Sequence, residues 1–154
     1  MSLKKRLADD MKTCMKAREA GKARLSVVQM VRATVLQVEK DKRVELDDAG
    51  IIEVLVREER QRRQAMEEYE RLGVEEQVAK LKYEIGVLRE YMPAEMSEEQ
   101  IRELIADAIS STGAQSAKHM GKVMSLVIPK TRGRADGQMV SNMVRQMIEE
   151  LSKE

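Results

Sequence analysis

At 154 residues, 42% hydrophobic and 36% charged, the chain has length for one ordinary domain or two small ones and enough apolar material to bury a core. A formal net charge of +1 argues on its face against a nucleic-acid binder, and with no Trp, no Phe and three Tyr, reading single-stranded bases by stacking is disfavoured. The single cysteine, Cys14, excludes an internal disulfide and fits a reducing compartment; no apolar run approaches the ~18 residues of a membrane span, and the basic start "MSLKKRLADDMK" lacks the apolar stretch of a secretory signal, so the expected location is cytoplasmic, with no membrane partner.

Taken in order, nearly every segment reads as helix. Ser2 can cap a first helix in which Leu3, Leu7, Met11 and Met15 recur every four residues, ending near Gly21. A second, over 22–43, carries Leu25, Val28, Val31, Val35 and Val38 as one stripe. Asp47 or Asp48 offers the cap of a third, over 49–72, closed by Gly73. A fourth runs from Val74 to Tyr91 through Val78, Leu81, Ile85 and Leu88. Val and Ile are frequent in these segments, but their spacing is helical and the turn dipeptides of hairpins are missing, so the fold class is all-α.

"YMPAEMSEEQ" reads as a boundary. Pro93 cannot continue a helix and disfavours helical geometry at Met92. Ser97 with Gln100 three residues on forms a capping box, and Glu98 and Glu99 suit the positive end of the helix dipole. Beyond it three short helices are expected: one to Thr112, stopped by Gly113; one over 117–129, capped by Ser116; and one over 136–152. The expected organisation is a long-helix domain over residues 1–93 and a three-helix module over 94–154.

Enzyme signatures are missing. His119 stands alone, so no metal site of the usual His/Cys type can be assembled, and Cys14, on an apolar-periodic helix with no adjacent base, reads as a small core residue and not a nucleophile. Neither GxxxxGK[ST] nor GxGxxG occurs. The acid pairs Glu58–Glu59 and Glu98–Glu99 read as solvated or dipole-complementing. No catalytic residue, metal or cofactor is therefore expected. In "VREERQRRQAMEEYE" (56–70), Arg57, Arg60 and Arg63 recur on one face beside Glu58, Glu59, Glu67 and Glu68; a helix laced with ion pairs is the plainer reading and a second anion-contacting surface the sharper one. Met120 and Met124, and Met139, Met143 and Met147, fall at four-residue spacing and read as core filling.

The neutral total hides a local asymmetry. Residues 118–148 hold six Lys or Arg against one acid, whereas 94–117 hold one against five. The basic stretch centres on "GKVMSLVIPKTRGRADG". A helix ending near Ile128–Pro129 would have Lys130 and Arg132 complementing its dipole, with Gly133 and Gly137 easing the turn and Asp136 capping the last helix. That account leaves over Arg134, and Lys118 and Lys122 one turn apart. A tight loop bordered by arginines and aimed at a helix N-terminus also suits phosphate. On the residues alone, turn and anion site stay equally open.

The same residues carry a resemblance. "HMGKVMSLVIPKTRGRADGQMVSNMV" resembles the hallmark segment of the GatB/YqeY family, and "VREERQRRQAMEEYE" and "EIGVLREYMPAEMSEEQIRELI" look like the matching parts of standalone YqeY-like proteins. "RLGVEEQ" (71–77) stands where the family usually has "GR.DL", and Ser125 where it usually has Gly. The resemblance implies an all-helical protein whose C-terminal module is similar to the tail domain of the amidotransferase B subunit, which touches tRNA. It places Gly121, Lys122, Lys130, Arg132, Gly133, Arg134, Asp136 and Gly137 in the family motif.

The resulting expectation is a non-catalytic protein that binds tRNA through Lys118, Lys122, Lys130, Arg132 and Arg134, with Gly121, Gly133, Asp136 and Gly137 as the structural motif. Its other implied partners are an amidotransferase or an aminoacyl-tRNA synthetase. The alternatives are a protein-docking module without RNA contact, or a carbon–nitrogen ligase activity using glutamine as amido-nitrogen donor, a label that homology would supply and these residues do not.

Overall fold

A computed structural model of the chain describes residues 2–153. Among these the chain is all-α: α1 (Leu3–Lys16), α2 (Lys22–Lys42), α3 (Asp48–Leu72), α4 (Glu75–Arg89), α5 (Glu98–Thr112), α6 (Met120–Thr131) and α7 (Gly137–Ser152), with single 3-10 turns at Arg18–Gly21 and Ala117–His119. The chain divides into two compact units, Met1–Met92 and Pro93–Glu154.

Helix limits follow local chemistry. The Ser2 hydroxyl accepts from the Lys5 N–H, and the Asp47 carboxylate accepts from the Gly50 N–H at 2.9 Å. α3 stops at Gly73, whose φ of 72° is the left-handed geometry that glycine adopts cheaply. Two expectations need correction. Met15 does not continue the apolar stripe of α1; it is 56% exposed, and Cys14 is buried instead. The chain turns tightly there, and a Cβ on Gly21 would sit 2.3 Å from the Cys14 carbonyl oxygen, so the backbone leaves no room for a side chain at that position. Ser116 makes no side-chain cap; the segment opens as a 3-10 turn in which the Ser116 carbonyl accepts from the His119 N–H.

The first unit is built on aliphatic side chains. Leu3 and Leu7 of α1, Val27, Val28, Val31 and Val35 of α2, Ile51, Val54 and Leu55 of α3, and Val87 and Leu88 of α4 form one core, closed by Tyr91 and Met92. Val28, Val31 and Val35 belong to the expected stripe, with Leu25 and Val38 half-buried at its ends. Val27 widens it, because a helix packed between α1, α3 and α4 must bury more than a narrow seam.

Two polar clusters fasten this core. The Tyr91 hydroxyl donates to the Asp10 carboxylate; Arg24 reaches the Tyr91 oxygen at 3.3 Å, Asp10 at 3.4 Å and Glu90. Arg6 donates to the Glu90 carbonyl at 3.2 Å, and both arginines lie over the Tyr91 ring. Burial and the bond to Asp10 push the Tyr91 phenol above its ordinary value. Burial opposes the charge on Arg24, but its bond to Glu90 prevails and raises its pKa. In the second cluster Arg62, 7% exposed, donates to the Glu58 carboxylate at 2.6 Å, while its Nε lies 3.8 Å from Glu84 and makes no hydrogen bond. The dense charge run of α3 is thus partly internal. Arg63 is held by Glu59 at 2.8 Å, Glu59 also lies 3.4 Å from Arg89, and Arg57 and Arg60 are exposed.

These clusters have measurable consequences. Arg62→Ala leaves two carboxylates facing a dry gap and is expected to cost about 3–5 kcal/mol, whereas joint replacement of Glu58, Arg62 and Glu84 by apolar residues of similar volume recovers most of it; urea unfolding of the full chain reads both. Because the folded-state pKa of Tyr91 is raised, its contribution is complete below about pH 10, the ordinary phenol value, and lost above it. The urea midpoint of the unsubstituted chain should therefore fall more steeply above that pH than the midpoint of Tyr91→Phe.

Candidate nucleic-acid interface

The second unit is a three-helix packing of α5, α6 and α7. Ile101, Ile105 and Ala108 of α5 meet Val123 and Val127 of α6 and Val140, Val144 and Ile148 of α7, and Met120, Met124, Met139, Met143 and Met147 pack against this core. The capping box at the start of α5 is complete: the Ser97 hydroxyl accepts from the Gln100 N–H at 3.1 Å, and the Gln100 side chain accepts from the Ser97 N–H at 3.0 Å.

Burying the Val123–Val127–Thr131 side of α6 fixes what faces outward. Lys122 lies in solvent on the opposite side, with Lys118 one turn before it, and Lys130 is exposed in the last turn. Leu126 and Ile128 are 42% and 39% exposed on the same helix. Gly121 sits in the first turn of α6, where an added Cβ would meet nothing within 4 Å. Packing gives no reason for glycine there, although glycine in a helix costs about 0.5–1 kcal/mol relative to alanine.

The helix does not end at Ile128–Pro129 as its sequence suggests. It continues to Thr131 with Pro129 inside it. Proline removes the N–H that would serve the Ser125 carbonyl, but Thr131 closes the last turn from within: its hydroxyl, buried, donates to the Val127 carbonyl at 3.2 Å. The chain then reverses. The Thr131 carbonyl accepts from the Arg134 N–H at 2.8 Å and the Ala135 N–H at 3.0 Å, and between them Gly133 is buried with φ 75°. A side chain at Gly133 would be strained in that geometry.

Arg134 fastens the turn. Its Nε donates to the Ala94 carbonyl at 2.9 Å, and its own carbonyl accepts from the Met96 N–H at 2.9 Å. The loop joining α6 to α7 is thereby tied to the segment leading into α5. The Asp136 carboxylate accepts from the Gln138 N–H at 3.0 Å and caps α7, and Gly137 takes ordinary helical geometry as its first residue. An anion at this turn would meet a helix N-terminus already holding a carboxylate. The arrangement favours contacts from side chains around the turn over cradling by the α7 amides. His119 is a local brace: its Nδ1 accepts from the Gln115 N–H at 3.3 Å.

Of the residues singled out in the sequence, Lys118, Lys122, Lys130 and Arg132 are exposed on α6 and its two ends, while Arg134 is half-buried. Among the described residues no cluster of three or more His, Cys, Asp or Glu side chains could hold a metal, and no helix is long and apolar enough to cross a membrane. The sequence reading missed the clasp by Arg134, whose partner lies 40 residues away, and the Asp10–Tyr91 bond, which spans 81. The Glu58–Arg62 pair left a signal in its i,i+4 spacing.

The profile of the family described as Yqey-like protein matches residues 4–148, nearly the whole chain. The chain belongs to the YqeY family. No curated protein matches it. In this YqeY-like chain the stretch "GKVMSLVIPKTRGRADG" covers most of α6, the Gly133 turn and the first residue of α7, and lies within the matched span.

The turn geometry sets two expectations. Gly133→Ala should lower the stability of the second unit by about 1–2 kcal/mol through its left-handed φ. Arg134→Ala should cost about 1–2 kcal/mol by removing a charge-assisted bond to a carbonyl, and Arg134→Lys, which has no Nε–H fork, should not restore it. Thermal unfolding of the full chain, followed by hydrogen exchange at the Met96 and Ala135 amides, reads both.

Proposed function

We propose that the Pro93–Glu154 unit binds structured RNA, tRNA in particular, through its phosphate backbone, and that the chain performs no catalysis by itself. What carries the reading is α6, along which Lys118, Lys122 and Lys130 lie exposed in solvent and which opens on a helical glycine, Gly121, that packing does not require. Cations on one rigid helix with open space at the backbone suit close approach of a phosphodiester chain. Arg132 and the outer nitrogens of Arg134 extend this surface around the turn, and Gly133 and Asp136 set its shape. The narrow major groove of helical RNA and the shortage of aromatic side chains favour recognition by shape and phosphate over base readout. Membership of the family is consistent with a link to tRNA-dependent amidation, in which an amidotransferase or an aminoacyl-tRNA synthetase would be the protein partner.

Binding through about four to five phosphate contacts gives a logarithmic salt slope of roughly −3 to −4. Lys122→Ala/Lys130→Ala should lower that slope by about 1.5–2 without changing the melting temperature, since both side chains lie in solvent. Gly121→Ala offers a sharper discrimination. It should stabilise the unit by about 0.4–1 kcal/mol and yet weaken tRNA binding, because the added methyl occupies the approach side of α6. Filter binding and fluorescence anisotropy over a salt series measure these effects; wild-type affinity and slope in the double lysine variant would falsify the assignment.

A second reading, docking onto a protein without RNA contact, draws support from the exposure of Leu126 and Ile128 among the same lysines. Association that survives nuclease and high salt and is lost in Leu126→Ser would favour it. Glutamine- and ATP-dependent amidation by the purified chain is expected to give no turnover.

A further inference from the structure

We infer that the groove between the C-terminal halves of α5 and α7 docks a cationic amphipathic helix of a partner protein. The groove has a volume of about 330 Å³ and is lined by Ala106, Ile109 and Ser110 of α5 and by Met147, Glu150 and Leu151 of α7. Its floor is apolar, and Leu151 is 42% exposed there although the rest of the α7 stripe is covered. A trough between two helix ridges, with room for a short row of apolar side chains, is the shape that takes the apolar face of a third helix. The thioether of Met147 on one wall adapts its shape to such a row.

Charge determines which helix fits. Neither α5 nor α7 has a basic residue in its last turn, so the negative ends of two helix dipoles at this end of the groove are offset only by Lys153, which follows the last residue of α7. Glu150 lies on the rim itself. Glu103 and Asp107 follow one another at i,i+4 on α5, adjoining Ala106 and Ser110 on the same exposed side. Two nearby cations, Arg102, 3.9 Å from Glu98, and Lys153 at the end of α7, stand against the four acids Glu103, Asp107, Glu149 and Glu150. An apolar floor in a negative field selects a helix with Leu or Met on one face and Lys or Arg flanking it, and it repels RNA phosphate. Within the same unit the cations of the proposed RNA surface lie on α6 and the turn after it, so the two surfaces use different residues and this inference does not rest on RNA binding.

The test titrates the isotope-labelled full chain with a synthetic Leu/Lys amphipathic helical peptide and follows methyl signals. Two further peptides serve as comparisons, one of the same composition scrambled so that leucines share no face, and one with Glu in place of Lys. Saturable shifts are expected at Ile109, Met147 and Leu151 with the first peptide alone. Glu150→Lys and Leu151→Ser, both at exposed positions, should each weaken binding about tenfold. The inference is overturned by the absence of saturable shifts, by equal binding of the scrambled peptide, or by shifts confined to α6. It is also overturned if sedimentation shows that the chain associates with itself through this face and that Leu151→Ser abolishes the association. The shift map of the unsubstituted chain decides the matter even where a variant fails to fold.

Discussion

The bond from Arg134 Nε to the Ala94 carbonyl, with the Met96 N–H returning to the Arg134 carbonyl, sets the form of the basic turn. Without it the residues between α6 and α7 would be held only by their own turn bonds to the Thr131 carbonyl and by the two helix ends. With it, Gly133 is buried in the one backbone region where a side chain is penalised, Thr131 closes the helix beneath, and Asp136 is positioned to cap α7. A cationic side chain thus spends part of its hydrogen-bonding capacity inside the fold. The neighbouring lysines keep their charge in solvent because α6 buries its Val123–Val127–Thr131 side and leaves them outside.

Arginine plays the same fastening role in the first unit. A chain with no Phe or Trp fills its interior with Val, Leu, Ile and Met, whose contacts are non-directional. Direction is supplied at the margins. Arg24 binds α2 to Asp10 of α1 and to Glu90 and Tyr91 beyond α4, and Arg62 of α3 sits between Glu58 and Glu84. Such pairs add little net stability over an apolar replacement, and removing one partner is costly.

The second unit divides its charge by helix. α5 carries Glu98, Glu99, Glu103 and Asp107 against one cation, Arg102, whereas Lys118, Lys122, Lys130, Arg132 and Arg134 lie on α6 and its two ends, so one small packing presents a positive helix face and a negative apolar groove. A net charge near zero says nothing about either surface, because partners respond to the local field within about a Debye length, ~8–10 Å.

Much of this is legible in the sequence. The apolar spacing of Val28, Val31 and Val35, the capping box at Ser97 and Gln100, the glycine stop at Gly73 and the aspartate cap at 136 are local signals, each written within a turn of helix, and the all-α fold follows from them. So is the family motif, which is contiguous in the chain. The continuation of α6 through Pro129 was not legible, since proline's penalty was offset by the buried Thr131 hydroxyl and the turn that packs against it. The burial of Cys14 was legible from the apolar-periodic helix it lies on, whereas the exposure of Met15 at the end of that helix was not. The bond from Arg134 to Ala94 was not legible because the partner carbonyl is 40 residues away. The sequence by itself determined the helices, their caps and the concentration of positive charge. Tertiary structure decided which charges are consumed by the fold and which remain for a ligand, because burial and long-range hydrogen bonds exist only after the helices have packed.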